Sequence, residues 1–225
     1  MVDHAVIAGA AGALGRALVT EFHSRGWSVI AMDRPGTALD ELFAVPGVTP
    51  VPTDLTDRGS VQAAWQRVDE VGRPRVLVNT VGAFAGGTLD ELDEDTLDGM
   101  LGSNLAAVLW SCQAAARRMA EQGGVIVNVG SRTGVRGEGP VAYAAAKAGV
   151  VRLTEVLADE LRPSGIRVNA VLPSVIDTPA NRTWMPEDLA QRAVPPEAIA
   201  RVISFLCSDD AWPISGAIVP VYGEA

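Results

Sequence analysis

The sequence contains very little lysine and histidine, and this scarcity excludes several kinds of site. Only Lys147 is a lysine among the 18 basic residues, and His4 and His23 are the two histidines. The formal net charge is −9, whereas nucleic-acid-binding proteins usually carry a basic face. A histidine-based triad or a His-rich metal site would have to be built from His4 and His23 alone. We therefore expect no nucleic-acid partner and no metal.

Cysteines and long apolar runs are also scarce. Cys112 and Cys207 are far apart and form no CxxC pair, so neither a disulfide framework nor a zinc motif is visible. No stretch approaches the roughly 18 uninterrupted apolar residues that a membrane span needs. The first residues carry no basic region followed by an apolar one, as a signal peptide would. These absences predict a cytoplasmic protein with no membrane partner.

What the sequence does contain is a regular alternation of apolar runs and helical stretches. Most runs are apolar throughout, which is typical of parallel strands covered on both faces. The pattern predicts an α/β fold, a Rossmann-type doubly wound parallel sheet of about seven strands with helices on both faces in three αβα layers. The length of 225 residues fits one domain over 1–225. Binding sites in such sheets lie at the carboxyl ends of the strands.

A glycine-rich turn joins the first predicted strand to the first predicted helix. Gly9, Gly12 and Gly15 allow the backbone to turn tightly and to approach a pyrophosphate, which free N–H groups of the helix would bind. Asp33 follows 18 residues after Gly15, at the end of the second strand. A carboxylate there can accept both adenosine-ribose hydroxyls and would repel a 2′-phosphate. Although the adjacent Arg34 can in principle pair with that phosphate, the pattern favours NAD(H) over NADP(H).

Tyr143 and Lys147 lie four residues apart in a predicted helix and therefore share a face. Every other basic residue of the chain is an arginine, and Tyr143 is one of two tyrosines. The unperturbed pKa of tyrosine, about 10, is too high for proton transfer at neutral pH. A nearby ammonium lowers that pKa by stabilising the phenolate. The pair therefore predicts a general acid/base.

With these motifs, the sequence resembles the short-chain dehydrogenase/reductase family over essentially its full length. The resemblance implies an NAD(P)(H)-dependent oxidoreductase that transfers hydride between the nicotinamide and a small carbonyl or alcohol substrate. Tyr143 would be the general acid/base, and Lys147 would lower its pKa and hold the nicotinamide ribose. Ser131 would bind the carbonyl oxygen, and Asn104 would hold a water of a proton relay. The family also implies a homotetramer or homodimer built on the two long helices, which the pattern predicts over residues 94–122 and 142–161.

The motif matches extend to residues that would line the cofactor and substrate sites. The predicted cofactor-binding residues are Gly9, Ala11, Gly12, Ala13, Leu14, Gly15, Asp33, Arg34, Asp54, Leu55, Asn79, Val81, Gly82, Tyr143, Lys147, Pro173, Ser174, Ile176 and Thr178. The predicted substrate residues are Phe84, Arg132, Val135, Asn181 and Met185. The polar stretch 177–195 is predicted to be a lid over the site.

The chain departs from the family pattern at several positions. Ala8 replaces the leading threonine of the glycine motif, and the central glycine is shifted. Thr80 replaces the second asparagine of the fourth-strand motif, and Ser174 replaces the glycine after a proline. The spacing from Ser131 to Tyr143 is one residue shorter than usual. These departures concern fine geometry and cofactor affinity rather than the class of enzyme.

Two other interpretations remain open. The glycine turn 12–15, the loop 85–87 and the stretch 172–186 resemble the dihydropteridine reductase branch, which reduces a quinonoid pterin with NADH. That branch generally lacks the serine and asparagine that this chain has at Ser131 and Asn104. A non-catalytic NAD(H)-sensing regulator is the alternative from another class, but it should have lost the tyrosine or the lysine. Acyl or phosphoryl transfer is disfavoured, because the chain has no histidine base or Walker lysine near the glycine turn.

Overall fold

The computed structural model describes residues 3–224, so residues 1, 2 and 225 of the predicted domain lie outside it. Within that range the strands are β1 (His4–Ala8), β2 (Ser28–Asp33), β3 (Val48–Pro52), β4 (Pro74–Asn79), β5 (Gly124–Val129), β6 (Ile166–Pro173) and β7 (Ile218–Val221). The α-helices are α1 (Ala13–Ser24), α2 (Thr37–Asp40), α3 (Arg58–Val71), α4 (Glu94–Leu101), α5 (Ala107–Met119), α6 (Val141–Glu160), α7 (Pro179–Arg182), α8 (Glu187–Arg192) and α9 (Pro196–Cys207).

The strands form one parallel sheet in the order β3-β2-β1-β4-β5-β6-β7. The chain extends the sheet outward from β1 to β3, crosses back over β1, and then extends it in the other direction from β4 to β7. This reversal leaves a crevice at the carboxyl ends of β1 and β4, where such sheets bind ligands. The predicted Rossmann-type doubly wound fold is confirmed.

Helices cover both faces of the sheet, because the strands are apolar on both sides. Ile7 of β1 packs in one buried cluster with Leu18 of α1 and Ile203 of α9. Its neighbour Val6 points to the opposite face and packs with Trp65 of α3, together with residues of α5 and α6. The two clusters are the two interfaces of a three-layer αβα structure.

The helix boundaries differ from the sequence expectation in one instructive place. The sequence predicts one helix over residues 94–122, whereas the structure divides it into α4 and α5 with a π-helical turn at Gly102–Ala106. The stretch predicted as a lid contains α7 and α8, each shorter than two turns. No helix found between residues 3 and 224 is both long and apolar enough to cross a membrane.

Candidate active site

Two of the three turn glycines are required by the fold itself. Gly9 has a φ of +91°, and a β-carbon there would lie 2.5 Å from Oγ1 of Thr80. A β-carbon at Gly15 would lie 2.1 Å from the carbonyl oxygen of Gly9. A side chain is excluded at Gly9 by its positive φ and by the residues that follow β4, and at Gly15 because α1 packs directly against the turn. Thr80, which departs from the family pattern, holds this turn by donating its hydroxyl to the carbonyls of Ala8 and Gly9, each at 3.0 Å.

Gly12 has no comparable packing reason to be a glycine. Its φ of −69° and ψ of 166° suit any residue. A β-carbon there would meet only the Gly9 carbonyl oxygen, at an ordinary 3.5 Å. The missing side chain keeps the N-terminus of α1 open, and no side chain caps it. The turn therefore fits the pyrophosphate of a dinucleotide, which needs close backbone approach and free N–H groups.

Asp33 closes the turn from the end of β2. One carboxylate oxygen accepts the backbone N–H of Ala11 at 2.9 Å, and the other accepts that of Arg34 at 2.7 Å. Asp33 and Arg34 line a cleft of about 700 Å³ together with the glycine turn. Asp54 and Leu55, which follow β3, line the same cleft.

Asp54 is held by a local turn at the edge of this cleft. Its Oδ1 accepts hydrogen bonds from the backbone N–H and the hydroxyl of Thr56, at 2.9 and 2.6 Å. These bonds, and to a smaller extent the charge of Arg34, hold the pKa of Asp54 below its ordinary value. The positive charge of Arg34 thus lies close enough to Asp54 to act on it, and both side chains line the cleft.

A second cleft, of about 420 Å³, continues from the first and contains the predicted catalytic residues. The two clefts share Thr80, Gly82 and Ala83, which follow β4. The second cleft is lined by all four residues of the predicted catalytic set, namely Asn104, Ser131, Tyr143 and Lys147. A dinucleotide bound along the first cleft would place its far end among these side chains.

Lys147 is almost completely buried at the bottom of the second cleft. It is 4% exposed, and its ammonium donates to the Val129 carbonyl at 3.0 Å. Burial lowers the pKa of Lys147 from its ordinary value to about 8. A β-carbon at Gly134 would lie 2.7 Å from the Lys147 carbonyl carbon. The turn after Ser131 can therefore pack directly on α6.

Tyr143 lies one helical turn before Lys147, as the spacing predicts. The Lys147 Nζ lies 5.8 Å from the centroid of the Tyr143 ring. Burial raises the pKa of Tyr143, and a hydrogen bond with the Ser131 hydroxyl opposes that rise. The Ser131 hydroxyl also lies 2.9 Å from the Thr133 hydroxyl. The serine hydroxyl thus reaches the phenol, whereas the ammonium lies beside the ring; the expected lowering of the Tyr143 pKa by Lys147 is not seen, since only Ser131 opposes the effect of burial.

Asn104 lies within the π-helical turn between α4 and α5. Its side-chain amide donates to the carbonyls of Ala83 and Met100, at 2.9 and 3.1 Å. Its Oδ1 is buried without a hydrogen-bond partner. A β-carbon at Gly82 would lie 2.6 Å from this oxygen and 3.3 Å from the Lys147 Nζ. The glycine therefore keeps open a small polar space between Asn104 and Lys147, which is a suitable place for a water or a ribose hydroxyl.

Several predicted residues lie away from these clefts. Asn79 points into a buried polar cluster, where its amide donates to Asn128 at 2.9 Å. Thr178 accepts the Asn181 backbone N–H and caps α7. Among the predicted substrate residues, Phe84 and Asn181 line the second cleft. The remaining three, Arg132, Val135 and Met185, are not among the residues that line it.

Two side chains of the second cleft carry no sequence signal of their own. Glu138 lies in the turn before α6, and Trp184 lies just after α7 within the predicted lid. Glu138 belongs to no motif and is recognised only when the fold brings it to the cleft. Trp184 lies in the stretch that the sequence predicts to cover the site, but nothing in the sequence singles it out there. A further cavity of about 740 Å³ lies around Gly124 and Trp212, at the amino ends of the strands. It contains none of the predicted site residues, so its size does not make it the active site.

Comparison with known proteins agrees with this geometry. A family model described as short chain dehydrogenase matches residues 3–189. The chain is 35% identical over 235 residues to the 3-oxoacyl-(acyl-carrier-protein) reductase FabG of Thermotoga maritima, with 97% of this chain and 95% of the relative covered. It is 33% identical over 234 residues to the meso-2,3-butanediol dehydrogenase of Serratia marcescens, with 98% and 93% covered.

A solved structure described as ElxO with NADP bound superposes with a TM-score of 0.91 at 26% identity, covering 99% of this chain and 98% of that one. This chain therefore combines the sheet order, the glycine turn and the two adjoining clefts with a sequence that matches the family model over most of its length. The chain belongs to the short-chain dehydrogenase family of NAD(P)-dependent oxidoreductases.

Proposed function

We propose that the protein transfers hydride between a nicotinamide dinucleotide and a small carbonyl or alcohol substrate, with Tyr143 as the general acid/base. The observation that carries this proposal is the convergence of Tyr143, Ser131 and Lys147 in a cleft that continues from the glycine turn. When bound, the dinucleotide supplies or accepts the hydride. All other tasks belong to side chains of this chain.

In the reductive direction, the Tyr143 hydroxyl donates its proton to the oxygen of the reacting carbonyl. The Ser131 hydroxyl donates a hydrogen bond to the same oxygen, which orients it and stabilises the negative charge that develops there. The Tyr143 phenolate that remains is stabilised by the Lys147 ammonium. In the oxidative direction the same phenolate accepts the proton of the alcohol.

Lys147 and Asn104 restore the proton. A water in the space beside Gly82 would accept a hydrogen bond from the Lys147 ammonium and donate one to the unpartnered Asn104 Oδ1. This arrangement satisfies a buried oxygen that otherwise lacks a partner. It also connects the ammonium toward solvent, so that Tyr143 can be reprotonated after each turnover.

We further propose that the cofactor is NAD(H) in preference to NADP(H). Each Asp33 oxygen accepts one backbone N–H, and a carboxylate oxygen can accept a second bond, here from a ribose hydroxyl. A 2′-phosphate would meet this carboxylate at close range. Arg34 lines the same cleft and is the side chain that would favour a 2′-phosphate instead.

The cofactor proposal is tested by thermal shift with NADH and, separately, with NADPH. At one hundred times Kd, a ligand of the native state adds about 2.7 kcal/mol to the free energy of unfolding. We expect NADH to raise the melting temperature at lower concentration than NADPH does. Asp33→Ala should bring the concentrations of NADH and NADPH that produce the same rise in melting temperature closer together. A larger shift with NADPH in the parent would contradict the proposed preference.

The catalytic proposal is tested with Tyr143→Phe, which removes one hydroxyl and keeps the ring. We expect NADH to shift its melting temperature as in the parent, while ketone turnover falls by about 10²–10⁴-fold. Tyr222→Phe removes the chain's other phenolic hydroxyl and serves as the matched control. A Tyr143→Phe variant that keeps full turnover would falsify the assignment.

We also propose that the protein assembles as a homodimer or homotetramer through α5 and α6. Val108 and Val150 are completely buried within the chain and therefore cannot contact a partner. Leu109, Leu153 and Leu157 are only partly buried on the same helices and remain available. Light scattering after size exclusion would show a monomer if this proposal is wrong.

A further inference from the structure

Two large aromatic side chains stand exposed at the second cleft. Phe84, from the loop after β4, is 64% exposed, and Trp184, from the stretch after α7, is 56% exposed. Both line the cleft that contains the reacting hydroxyl. The Phe84 ring lies edge-on to the Tyr143 ring, with centroids 5.1 Å apart. Apolar surface of this size is unfavourable in water, so a ligand that covers both rings gains their burial.

The polar side chains around these rings are already engaged within the protein. The Asn181 amide donates to the Ile176 carbonyl at 2.9 Å, and the Ser174 hydroxyl donates to the Tyr222 carbonyl at 2.7 Å. The Thr133 hydroxyl lies 2.9 Å from that of Ser131. Beyond the catalytic groups and Glu138, the cleft therefore offers few side-chain hydrogen-bonding partners for the hydroxyls of a polyol.

The charges around the cleft also disfavour an anionic substrate. Lys147 is the single cation among its lining residues, and it is buried at the bottom, whereas Glu138 lines the cleft with a negative charge. Arg182, on the neighbouring lid, forms a two-point ion pair with Asp177. An anionic group of the substrate that enters the cleft therefore meets the Glu138 carboxylate and no lining cation besides the buried Lys147.

Two further arginines close to Ser131 in sequence are also engaged. The guanidinium carbons of Arg132 and Arg136 lie 5.5 and 4.7 Å from the centroid of the Tyr222 ring. Neither is a lining residue of the cleft. Their positive charge is thus placed over an aromatic face near the end of the chain rather than toward the substrate.

We propose that the substrate is an uncharged carbonyl compound that carries a flat apolar group, such as an aryl ring, next to the reacting carbonyl. The ring is bound by Phe84 and Trp184, and neither a polyol nor a compound that carries a negative charge into the cleft is the preferred substrate. This inference rests on the proposed function, since it places the carbonyl at Tyr143 and Ser131. It distinguishes this chain from both curated relatives named above, one described as an acyl-carrier-protein reductase and the other as a butanediol dehydrogenase.

The first test compares two diketones with the same reacting group. In 1-phenyl-1,2-propanedione a phenyl replaces one methyl of 2,3-butanedione. We expect the parent to reduce the phenyl compound with a kcat/KM roughly ten-fold higher or more, the discrimination that a hydrophobic pocket achieves. Equal values, or a preference for 2,3-butanedione, would overturn the inference while leaving the proposed function intact.

The second test identifies the residues that bind the ring. Phe84→Ala and Trp184→Ala should each lower kcat/KM for the phenyl diketone by about 3–10-fold and change that for 2,3-butanedione much less. Phe43→Ala and Trp212→Ala are matched controls, because these residues are 62% and 76% exposed and line neither cleft. If the two rings serve only to close the lid, both diketones lose activity equally, and the inference is wrong.

The third test addresses charge. 4-Acetylbenzoate and its methyl ester share an aryl ketone, but only the former carries a negative charge that would enter the cleft. We expect the neutral ester to be reduced with the higher kcat/KM, and Glu138→Gln to reduce the difference in kcat/KM between the two compounds. A preference for 4-acetylbenzoate would overturn the inference. If no carbonyl compound in any of the tests is reduced with NADH or NADPH, the proposed function itself fails.

Discussion

The two walls of the catalytic cleft are built in different ways. The sheet wall comprises the turn 9–15, the residues at the ends of β2, β4 and β5, and Tyr143 and Lys147 of α6. It is tightly packed, since an added β-carbon at Gly9, Gly15, Gly82 or Gly130 would lie 2.1–2.6 Å from a neighbouring atom. The lid wall, residues 177–195, is mostly exposed, and only Met185, Ala193 and Val194 are buried in it. Its two ends are joined by backbone hydrogen bonds, from Asp177 to Val194 at 2.9 Å and from Val194 to Val175 at 2.8 Å.

This difference assigns the chemical step to the sheet wall and the selection of the substrate to the lid wall. Groups that transfer protons must keep one geometry, and burial with fixed hydrogen bonds provides it. A wall with few buried contacts opens at low free-energy cost and tolerates substitution. We therefore expect changes in the sheet wall to have large effects on folding or chemistry, and changes in the lid wall to have small effects on stability.

The largest effect is expected from Gly15→Ala. Its β-carbon would lie 2.1 Å from the Gly9 carbonyl oxygen, and the nearest atoms, from Gly9 and Ala10, all belong to the backbone, so the turn and α1 must separate. We expect a loss of about 4 kcal/mol or more in the free energy of unfolding, or no folded protein at all. Chemical denaturation measures this loss in the free energy of unfolding.

Gly12→Ala is the matched control for this prediction. The new methyl meets only one atom, at 3.5 Å, so the melting temperature should stay close to that of the parent. The affinity for NADH should fall, because the methyl occupies the space that a pyrophosphate needs. If Gly12→Ala unfolds the protein as Gly15→Ala does, the division between a structural and a binding glycine is wrong.

The next effect is expected from Lys147→Met, which should reduce activity and increase stability. The pKa of Lys147 is about 8 in the folded protein and about 10.4 in an unfolded chain. Below pH 8 both states are protonated, and the folded state bears the full cost of a buried ammonium. Between these two values the unfolded state binds more protons, so stability rises with pH.

Removing the charge should therefore stabilise the protein at pH 7 by about 2 kcal/mol, after the loss of the bond to Val129. This gain in the free energy of unfolding should disappear above the pKa of an unfolded lysine, because Lys147 is then neutral in both states. Ketone turnover should fall by about 10²–10⁴-fold. Lys147→Arg keeps a charge but not a compact ammonium, and it should lose activity without gaining stability. A Lys147→Met variant less stable than the parent at neutral pH would refute the idea of a costly buried charge.

The sheet wall is also the part of the site that could be predicted from the sequence. Gly9, Asp33, Tyr143 and Lys147 belong to short motifs, and the parallel topology brings the ends of their elements to one edge. Asn79 belongs to a motif as well, but its side chain turns to Asn128, since a motif does not specify which face of the sheet a strand end presents. Its role in cofactor binding stays a prediction.

The rest of the site could not be predicted, for physical reasons that differ from place to place. The π-helical turn at Gly102–Ala106 does not interrupt the apolar periodicity of residues 94–122, so the pattern indicates one helix. Helices α7 and α8 are too short to show a period. Glu138 and Trp184 reach the cleft only through tertiary packing. The resemblance to the dihydropteridine reductase branch likewise stays a prediction.

A smaller effect is expected from Met185→Ala in the lid wall. Met185 is 9% exposed and is one of the few buried side chains of this wall. Its truncation should loosen the lid and raise KM for ketones several-fold, while the free energy of global unfolding changes by no more than about 1 kcal/mol. Measuring KM and the denaturation midpoint on the same variant distinguishes a loosened lid from a loss of global stability. A drop in stability of several kcal/mol would show that the lid unfolds together with the sheet.

The smallest effect is expected from Arg182→Ala, which breaks the ion pair with Asp177 at the start of the lid. The Arg182 and Asp177 side chains are 60% and 24% exposed, and water screens such pairs strongly. Their hydrogen bond lowers the pKa of Asp177, so whatever the pair contributes is present at neutral pH and is lost as the pH falls through that lowered value. We expect a melting temperature within about 1 °C of the parent and faster proteolysis within the lid at pH 7. The difference in proteolysis should disappear at acid pH, and its persistence there would mean that the Arg182 side chain holds the lid by packing rather than by charge.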